Sequence, residues 1–167
     1  MARYSLTFQS LTPEAKADTS AMTTGKYCFL QGNSSTMQLK VNEVQAGGEA
    51  SSSSVNILVF ARDTTVAVTS IVTTSTNNAL MDATATAPGT VALYGSGATT
   101  GSQRSATAHL IQHSFNGYGG LVRWQARQGE EITIVGNTQP LGECSYSGFT
   151  GCQTTAANSG HIIYELV

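Results

Sequence analysis

Apolar and polar residues alternate along much of this chain, and the alternation predicts β-strands. In the first such segment the apolar positions are Tyr4, Leu6 and Phe8, and in a later one they are Met37, Leu39 and Val41. Because successive side chains of a strand point to opposite faces of its sheet, this period places one apolar row against a core. Val44 falls out of phase with the second row, which predicts a bulge or bend near Asn42-Glu43.

The same period continues in further segments, with Gly- and Asn-containing turn signals between them. These segments are 55–61, 106–115, 121–126, 131–135, 145–149 and 161–166. Segment 55–61 carries apolar side chains on both faces, which predicts an interior strand that is buried on both sides. The pattern therefore predicts one all-β domain over residues 1–167. We expect a two-sheet antiparallel β-sandwich, jelly-roll-like, of about eight to ten strands.

Few segments favour helix. Thr12–Ala17 has a capping residue and a first-turn proline, which predict one or two helical turns. Segment 78–87 could turn once, but Thr84 and Thr86 are poor helix formers. We expect no helix longer than about three turns. Segments 47–54 and 95–105 are small, polar and of low complexity, which predicts two long mobile loops.

The alternation also predicts which side chains form the core. The residues expected to be largely buried are Leu39, Val41, Ile57, Val59, Ile111, Val122, Trp124, Ile132, Ile134 and Ile163.

Composition and charge narrow the function classes. Only 11% of the residues are charged and the net charge is −2, with eight basic residues scattered singly. Nucleic-acid binding requires a clustered basic face, so we expect no nucleic-acid partner. No apolar run approaches the ~20 residues of a membrane span, so we expect no membrane partner. The first residues alternate and lack the apolar region of a signal peptide, which predicts a chain that starts in the cytosol.

The three cysteines do not predict a disulfide scaffold, because their number is odd and no export signal precedes them. Cys28 lies in an apolar segment and is expected to be a buried thiol. Cys144 and Cys152 flank a short Gly-containing segment, so they either close a small loop under oxidising conditions or remain unpaired; unpaired thiols are the preferred interpretation.

No constellation in the sequence predicts catalysis or a cofactor. Cys144, Cys152 and His161 are of zinc-ligand type, but they lack the short paired spacings of structural zinc sites. His109 and His113 would share one face of a strand at ~13 Å, too far apart for one ion. We therefore expect a non-enzymatic protein without metal or cofactor.

The segment 114–124 is the most distinctive in the chain. One interpretation is a hairpin whose strand carries Val122 and Trp124 into the core; the other is an aromatic surface patch that binds a carbohydrate or a protein groove. Because Trp124 shares its face with apolar neighbours, the core interpretation is preferred. Tyr118, which lies between glycines at a loop tip, is the predicted partner contact.

Several short motifs resemble a group of small β-rich proteins encoded among the virion genes of tailed bacteriophages. They are the opening Met1-Ala2-Arg3-Tyr4 before an alternating strand, the 119–124 strand followed by Gly129-Glu130-Glu131-Ile132, and a last strand that ends close to the C-terminus. The resemblance covers the two ends and the 114–137 segment, and the middle of the chain contributes nothing. No functional residue follows from it, since the group has no catalytic motif.

The resemblance implies a structural protein of the virion, either a capsid decoration (cement) protein or an auxiliary head or tail component. Its expected partners are the major capsid protein or another virion protein and further copies of itself, most simply as a trimer. Tyr4, Leu6 and Phe8 are predicted to contact a neighbouring subunit or the shell, because chain ends need such contacts to stay ordered. The alternative is a carbohydrate- or receptor-binding β-sandwich of a tail fibre or surface structure.

Overall fold

The computed structural model describes residues 2–11, 26–32, 36–63, 78–86, 92–98, 104–135, 144–151 and 157–167. Across these ranges the chain is all-β, with antiparallel strands, turns and bends and without helix. Within them, no helix is long and apolar enough to cross a membrane. The predicted turns of helix at Thr12–Ala17 lie outside the described residues.

Eleven strands are described, one more than the upper end of the predicted range. They are β1 Arg3–Leu11, β2 Lys26–Gly32, β3 Gln38–Glu49, β4 Val55–Asp63, β5 Asn78–Leu80, β6 Ala92–Ala98, β7 Arg104–Asn116, β8 Tyr118–Gln125, β9 Ile132–Val135, β10 Cys144–Gly151 and β11 Asn158–Leu166. The six-stranded sheet has the order β5-β1-β11-β3-β8, with β9 also paired to β3. The five-stranded sheet has the order β6-β2-β10-β4-β7.

The pairing follows a nested pattern. Strand β4 pairs with β7, β3 with β8, β2 with β10 and β1 with β11, all antiparallel, as in one long hairpin folded back on itself. The hairpin is then rolled, because β11 also pairs with β3 and β10 also pairs with β4. Strands β5, β6 and β9 are additions to this pattern.

The bulge predicted in β3 is confirmed. Ile163 pairs with Glu43 and its neighbour Tyr164 pairs with Val41, so Asn42 is the extra residue on β3. The bulge reverses the inward and outward rows, which is why Val41 and Val44 are both fully buried. On its other edge β3 pairs with β8 along 43–49 and with β9 along 38–41.

One hydrophobic cluster joins the two sheets, which makes the molecule a sandwich. Its buried members are Tyr4, Leu6, Phe8, Leu30, Leu39, Val41, Val44, Ala46, Leu58, Phe60, Ile111, Phe115, Ile134, Ile162 and Tyr164. Burial of Leu39, Val41, Val59, Ile111 and Ile134 was predicted and is confirmed. Val122, Trp124 and Ile132 are half-buried and pack against the cluster.

The core prediction was wrong about which row faces inward in two strands. Ile57 and Ile163 are half-buried, whereas their neighbours Leu58 and Ile162 are fully buried. In β4 and β11 both rows carry apolar residues, so alternation alone does not select the inner one. The prediction that the 55–61 strand is interior and buried on both sides is confirmed for Leu58, Val59 and Phe60.

Both predicted long loops are partly strand, and residues 99–103 of the second lie outside the described residues. Residues 47–49 belong to β3, where Gly47 and Gly48 pair with Ser159 and Asn158, and only 50–54 form a connection. Residues 95–98 belong to β6, paired with β2. Small polar residues are therefore compatible with strands here, because neighbouring strands supply the hydrogen bonds. The helical turn expected in 78–87 is not observed in the described residues 78–86: Asn78–Leu80 is β5, and a non-helical turn follows, in which the Ala85 amide donates to the Asp82 carbonyl at 3.1 Å.

The described part of the segment after Cys144 is a strand and not a short loop. Strand β10 runs from Cys144 to Gly151, which at about 3.3 Å per residue spans roughly 23 Å. A disulfide requires Cα atoms within about 7 Å, so Cys144 does not reach the chain at the far end of β10. Cys152 itself lies outside the described residues.

Candidate functional site

Three of the four predicted contact residues are in the core. Tyr4, Leu6 and Phe8 are at most 2% exposed, and the ring of Tyr4 stacks on Tyr164 with centroids 5.1 Å apart. Strand β1 lies between β5 and β11, so its apolar row faces the opposite sheet. This corrects the expectation that these side chains contact a partner, because they already pack within their own chain.

Tyr118, the fourth predicted contact residue, is 61% exposed. It begins β8 directly after the turn that carries the chain from the five-stranded sheet to the six-stranded sheet. We call this turn and the neighbouring β3–β4 connection, residues 50–54 and 116–118, the corner.

Hydrogen bonds tie the two connections of the corner together. The Gly117 amide donates to the Ser54 carbonyl at 2.7 Å, and the Ala50 amide donates to the Gly117 carbonyl at 2.8 Å. The side chain of Asn116 adds three bonds. Its Oδ1 accepts from the amides of Tyr118 at 2.9 Å and Ser54 at 3.4 Å, and its Nδ2 donates to Ser53 Oγ at 3.1 Å. The corner is therefore a fixed base for Tyr118.

Close backbone approach requires glycine at the corner. A Cβ on Gly48 would lie 2.1 Å from the Gly117 carbonyl oxygen, and a Cβ on Gly117 would lie 2.4 Å from Ser54 Oγ. Gly119, with φ of +66°, continues β8 beyond Tyr118 in a backbone conformation that favours glycine. Of the glycines predicted from sequence as turns, Gly48 is thus needed for backbone packing.

Tyr118 and Leu121 lie on one side of the six-stranded sheet, which we call the outer face because it is opposite the core. Tyr118 pairs with Glu49, and Leu121 pairs with Gly47. Glu49 and Gly47 are outward positions of β3, and paired residues share a face of the sheet. Leu121 is 63% exposed. Since Gly47 has no side chain, the Leu121 side chain stands beside bare backbone. We call the exposed side chains of Tyr118 and Leu121 the apolar end of the outer face, although the exposed Glu49 adjoins Tyr118 there.

The middle of the outer face carries an ion cluster on three neighbouring strands. The Glu43 carboxylate of β3 accepts from the Arg123 guanidinium of β8 at 2.6 Å and contacts His161 Nε2 of β11 at 2.9 Å. The Glu43 side chain is only 8% exposed, although its position faces outward. The hydrogen bond from Arg123 is the main cause of a lowered Glu43 pKa, and the contact with His161 also lowers it against the effect of burial.

This cluster should make the chain sensitive to acid. Because the pKa of Glu43 is lower in the folded chain than in the unfolded one, its stabilising effect is present above about pH 4.5 and is lost as pH falls through the folded value. We expect Glu43→Gln to lower the unfolding midpoint at pH 7 and to have a smaller effect near pH 3.

Urea unfolding at both pH values measures this difference. Glu130→Gln is the matched control, since Glu130 is exposed in the turn after β8. Equal losses for Glu43→Gln at pH 7 and pH 3 would contradict the assigned role of the charge.

The sequence did not predict this cluster. Glu43, Arg123 and His161 are far apart in the chain, and only the register of β3 with β8 and β11 brings them together. The bulge at Asn42, which the sequence did signal, is the feature that turns Glu43 outward.

The described residues offer no metal centre. Among them, no group of three or more His, Cys, Asp or Glu side chains is placed to hold an ion. Cys144 and His161, considered as ligands from the sequence, belong to different sheets, and His113 is exposed on β7. Glu43 and His161 contact each other beside Arg123. The pKa of Glu43 is lowered mainly by the hydrogen bond from Arg123, so Glu43 is a carboxylate and not a proton donor at neutral pH.

The comparisons with known proteins add no relative. No protein-family model matches the chain, and no curated protein has a matching sequence.

Proposed function

We propose that the sandwich is a jelly roll. Without the three added strands, the sheets read β1-β11-β3-β8 and β2-β10-β4-β7, which is the strand order of a rolled hairpin with eight strands. Jelly rolls are common in viral capsid proteins and in lectins. Since a fold does not define a function, the surface has to distinguish these classes.

We further propose that the chain is a non-enzymatic structural protein of a phage particle, most simply a decoration protein on the capsid. The observation that carries the proposal is the apolar end of the outer face, where Tyr118 and Leu121 project from a corner fixed by hydrogen bonds. Because the backbone that carries Tyr118 is fixed by hydrogen bonds, binding has to order only the side-chain torsions of Tyr118, which costs little entropy. The central charges of this face are paired with one another, so a partner does not have to neutralise them.

The particle itself provides the first test. If the chain is a decoration protein, phage particles purified on a density gradient contain it in a fixed ratio to the major capsid protein, measured by quantitative mass spectrometry. Particles from a phage that lacks the gene should bind purified chain on co-sedimentation. Absence of the chain from particles, together with failure to bind capsids, would overturn the proposal.

Substitutions at the apolar end test the surface. We expect the double variant Tyr118→Ser, Leu121→Ser to bind capsids at least tenfold more weakly, which corresponds to about 1.4 kcal/mol or more. Its unfolding midpoint should stay close to that of the parent, because both side chains are largely exposed. Met81→Ser removes another exposed apolar side chain, after β5, and should leave binding unchanged.

The resemblance to virion proteins also leads us to propose self-association as a trimer. With Tyr4, Leu6 and Phe8 in the core, these three side chains are not available for such contacts. Light scattering of the purified chain should give three times the monomer mass, and a strict monomer would contradict this part of the proposal.

A carbohydrate-binding module is the second candidate, supported by exposed Tyr118 on a jelly-roll-like sandwich. Sugar rings stack on flat aromatic surfaces, but Trp124 packs against the core and is unsuitable for this role. Glycan-array binding that is lost in Tyr118→Ser, with no binding to capsids, would favour this candidate over the decoration protein.

A further inference from the structure

The corner joins two residues that the fold requires and that form a chemically labile pair. Asn116 and Gly117 are the only Asn-Gly sequence among the eight asparagines of the chain. Such a pair can deamidate without an enzyme, because glycine offers no side chain to hinder attack by its own amide nitrogen. A side chain at position 117 would displace the side chains of Ser54 and Asn56, since a Cβ there would lie 2.4 Å from Ser54 Oγ and 2.9 Å from Asn56 Nδ2.

Position 116 is fixed by the fold as well. The Asn116 side chain bonds to Ser53, Ser54 and Tyr118, and serves as acceptor and donor at once. An aspartate accepts but does not donate at neutral pH, and a serine is too short to span the same partners. The corner therefore contains Asn116-Gly117, the sequence pair of this chain that is most prone to deamidation.

We propose that Asn116 is a site of spontaneous deamidation that the folded corner protects, so that its conversion reports local opening of the corner. In the reaction the Gly117 nitrogen loses its proton and bonds to Asn116 Cγ, the Cγ–Nδ2 bond breaks, and ammonia leaves with that proton. Water then opens the resulting five-membered imide to aspartate or isoaspartate. No further reactant is needed.

Two contacts oppose the first step in the folded chain. The Gly117 amide donates a hydrogen bond to the Ser54 carbonyl at 2.7 Å, which opposes loss of its proton. In the Asn116 side chain, Nδ2 donates to Ser53 and Oδ1 accepts from the Tyr118 amide. These two hydrogen bonds keep Cγ from rotating toward the Gly117 nitrogen. Both contacts are broken when the corner opens. The free energy of this local opening sets the fraction of chains in which Asn116 can react.

The modification would damage the corner permanently. Either product replaces the Nδ2 donor to Ser53 by a carboxylate oxygen, and isoaspartate adds a methylene to the main chain directly before Gly117. The close approach of Gly117 to Gly48 tolerates no such displacement. This inference does not depend on the proposed function.

Peptide mapping tests the proposal. The full chain is kept at pH 8 and 37 °C, folded or in 8 M urea, and is then digested with trypsin. The peptide 105–123 contains Asn116 as its one asparagine, so a mass gain of about 1 Da in it measures conversion. In urea Asn116 should convert fastest among the eight asparagines, and in the folded chain at least tenfold more slowly than in urea.

A pair of serine variants separates protection by the corner from slow chemistry. Ser53→Ala removes the acceptor of the Nδ2 bond and should raise the folded-state rate several-fold while leaving the rate in urea unchanged. Ser52→Ala, the exposed neighbour, should change neither rate. Equal rates in folded and unfolded chain, a faster asparagine elsewhere in urea, or an unchanged rate in Ser53→Ala would overturn the proposal.

Discussion

Replacement of Gly48 by alanine should lower the stability of the chain by about 3 kcal/mol, because it forces two backbones apart. The new Cβ would lie 2.1 Å from the oxygen and 2.4 Å from the carbon of the Gly117 carbonyl group. Backbone atoms cannot rotate away as a side chain does, so β3 or the corner has to move. For a domain of this size the melting temperature should fall by roughly 10 °C.

The neighbouring glycine is the matched control. A Cβ on Gly47 would meet Leu121 Cδ1 at 3.6 Å, an ordinary contact, on the outward side of the same strand. Gly47→Ala should therefore change stability by less than about 1 kcal/mol, since alanine also restricts the unfolded chain. Thermal unfolding of both variants measures the difference, and similar losses in the two would contradict the packing assigned to the corner.

Leu6→Ala should cost about 3 kcal/mol, because Leu6 is fully buried in the cluster that joins the two sheets. The measurement is the free energy of unfolding in urea, obtained at low protein concentration. A subunit contact would instead give a small loss that depends on protein concentration.

Thr7→Ala changes the adjacent exposed residue of β1 and should cost less than about 1 kcal/mol. A loss for Leu6→Ala of that same small size would place β1 outside the core and restore the interpretation of Tyr4, Leu6 and Phe8 as partner contacts.

The fold class followed from the sequence because the period of two is a local property. The bulge at Asn42 was predicted for the same reason, since Val41 and Val44 cannot both face one side of a regular strand. Which row of β4 faces inward was not predictable in this way. Ile57 and Leu58 are equally apolar, and the choice between them depends on the sheet that covers the strand.

The candidate surface was predicted only in part. Tyr118 is exposed because the turn that carries it is encoded by local glycines, which the sequence shows directly. The Glu43 cluster depends on the register between three strands that are distant in sequence, and no local pattern carries that register. The contact assigned to Tyr4, Leu6 and Phe8 was wrong because a strand near a chain end can still be an interior strand of its sheet.

The rolled order of the strands has a consequence for chain assembly. Strands β10 and β11 come late in the sequence, yet each lies between two earlier strands of its sheet. Until they are added, β1 has no link to β3 and β2 has none to β4, so each sheet remains divided. The last strands thus complete both sheets. If the chain is cut between β10 and β11, a synthetic peptide with the sequence of β11 should restore the folded sheet by inserting between β1 and β3.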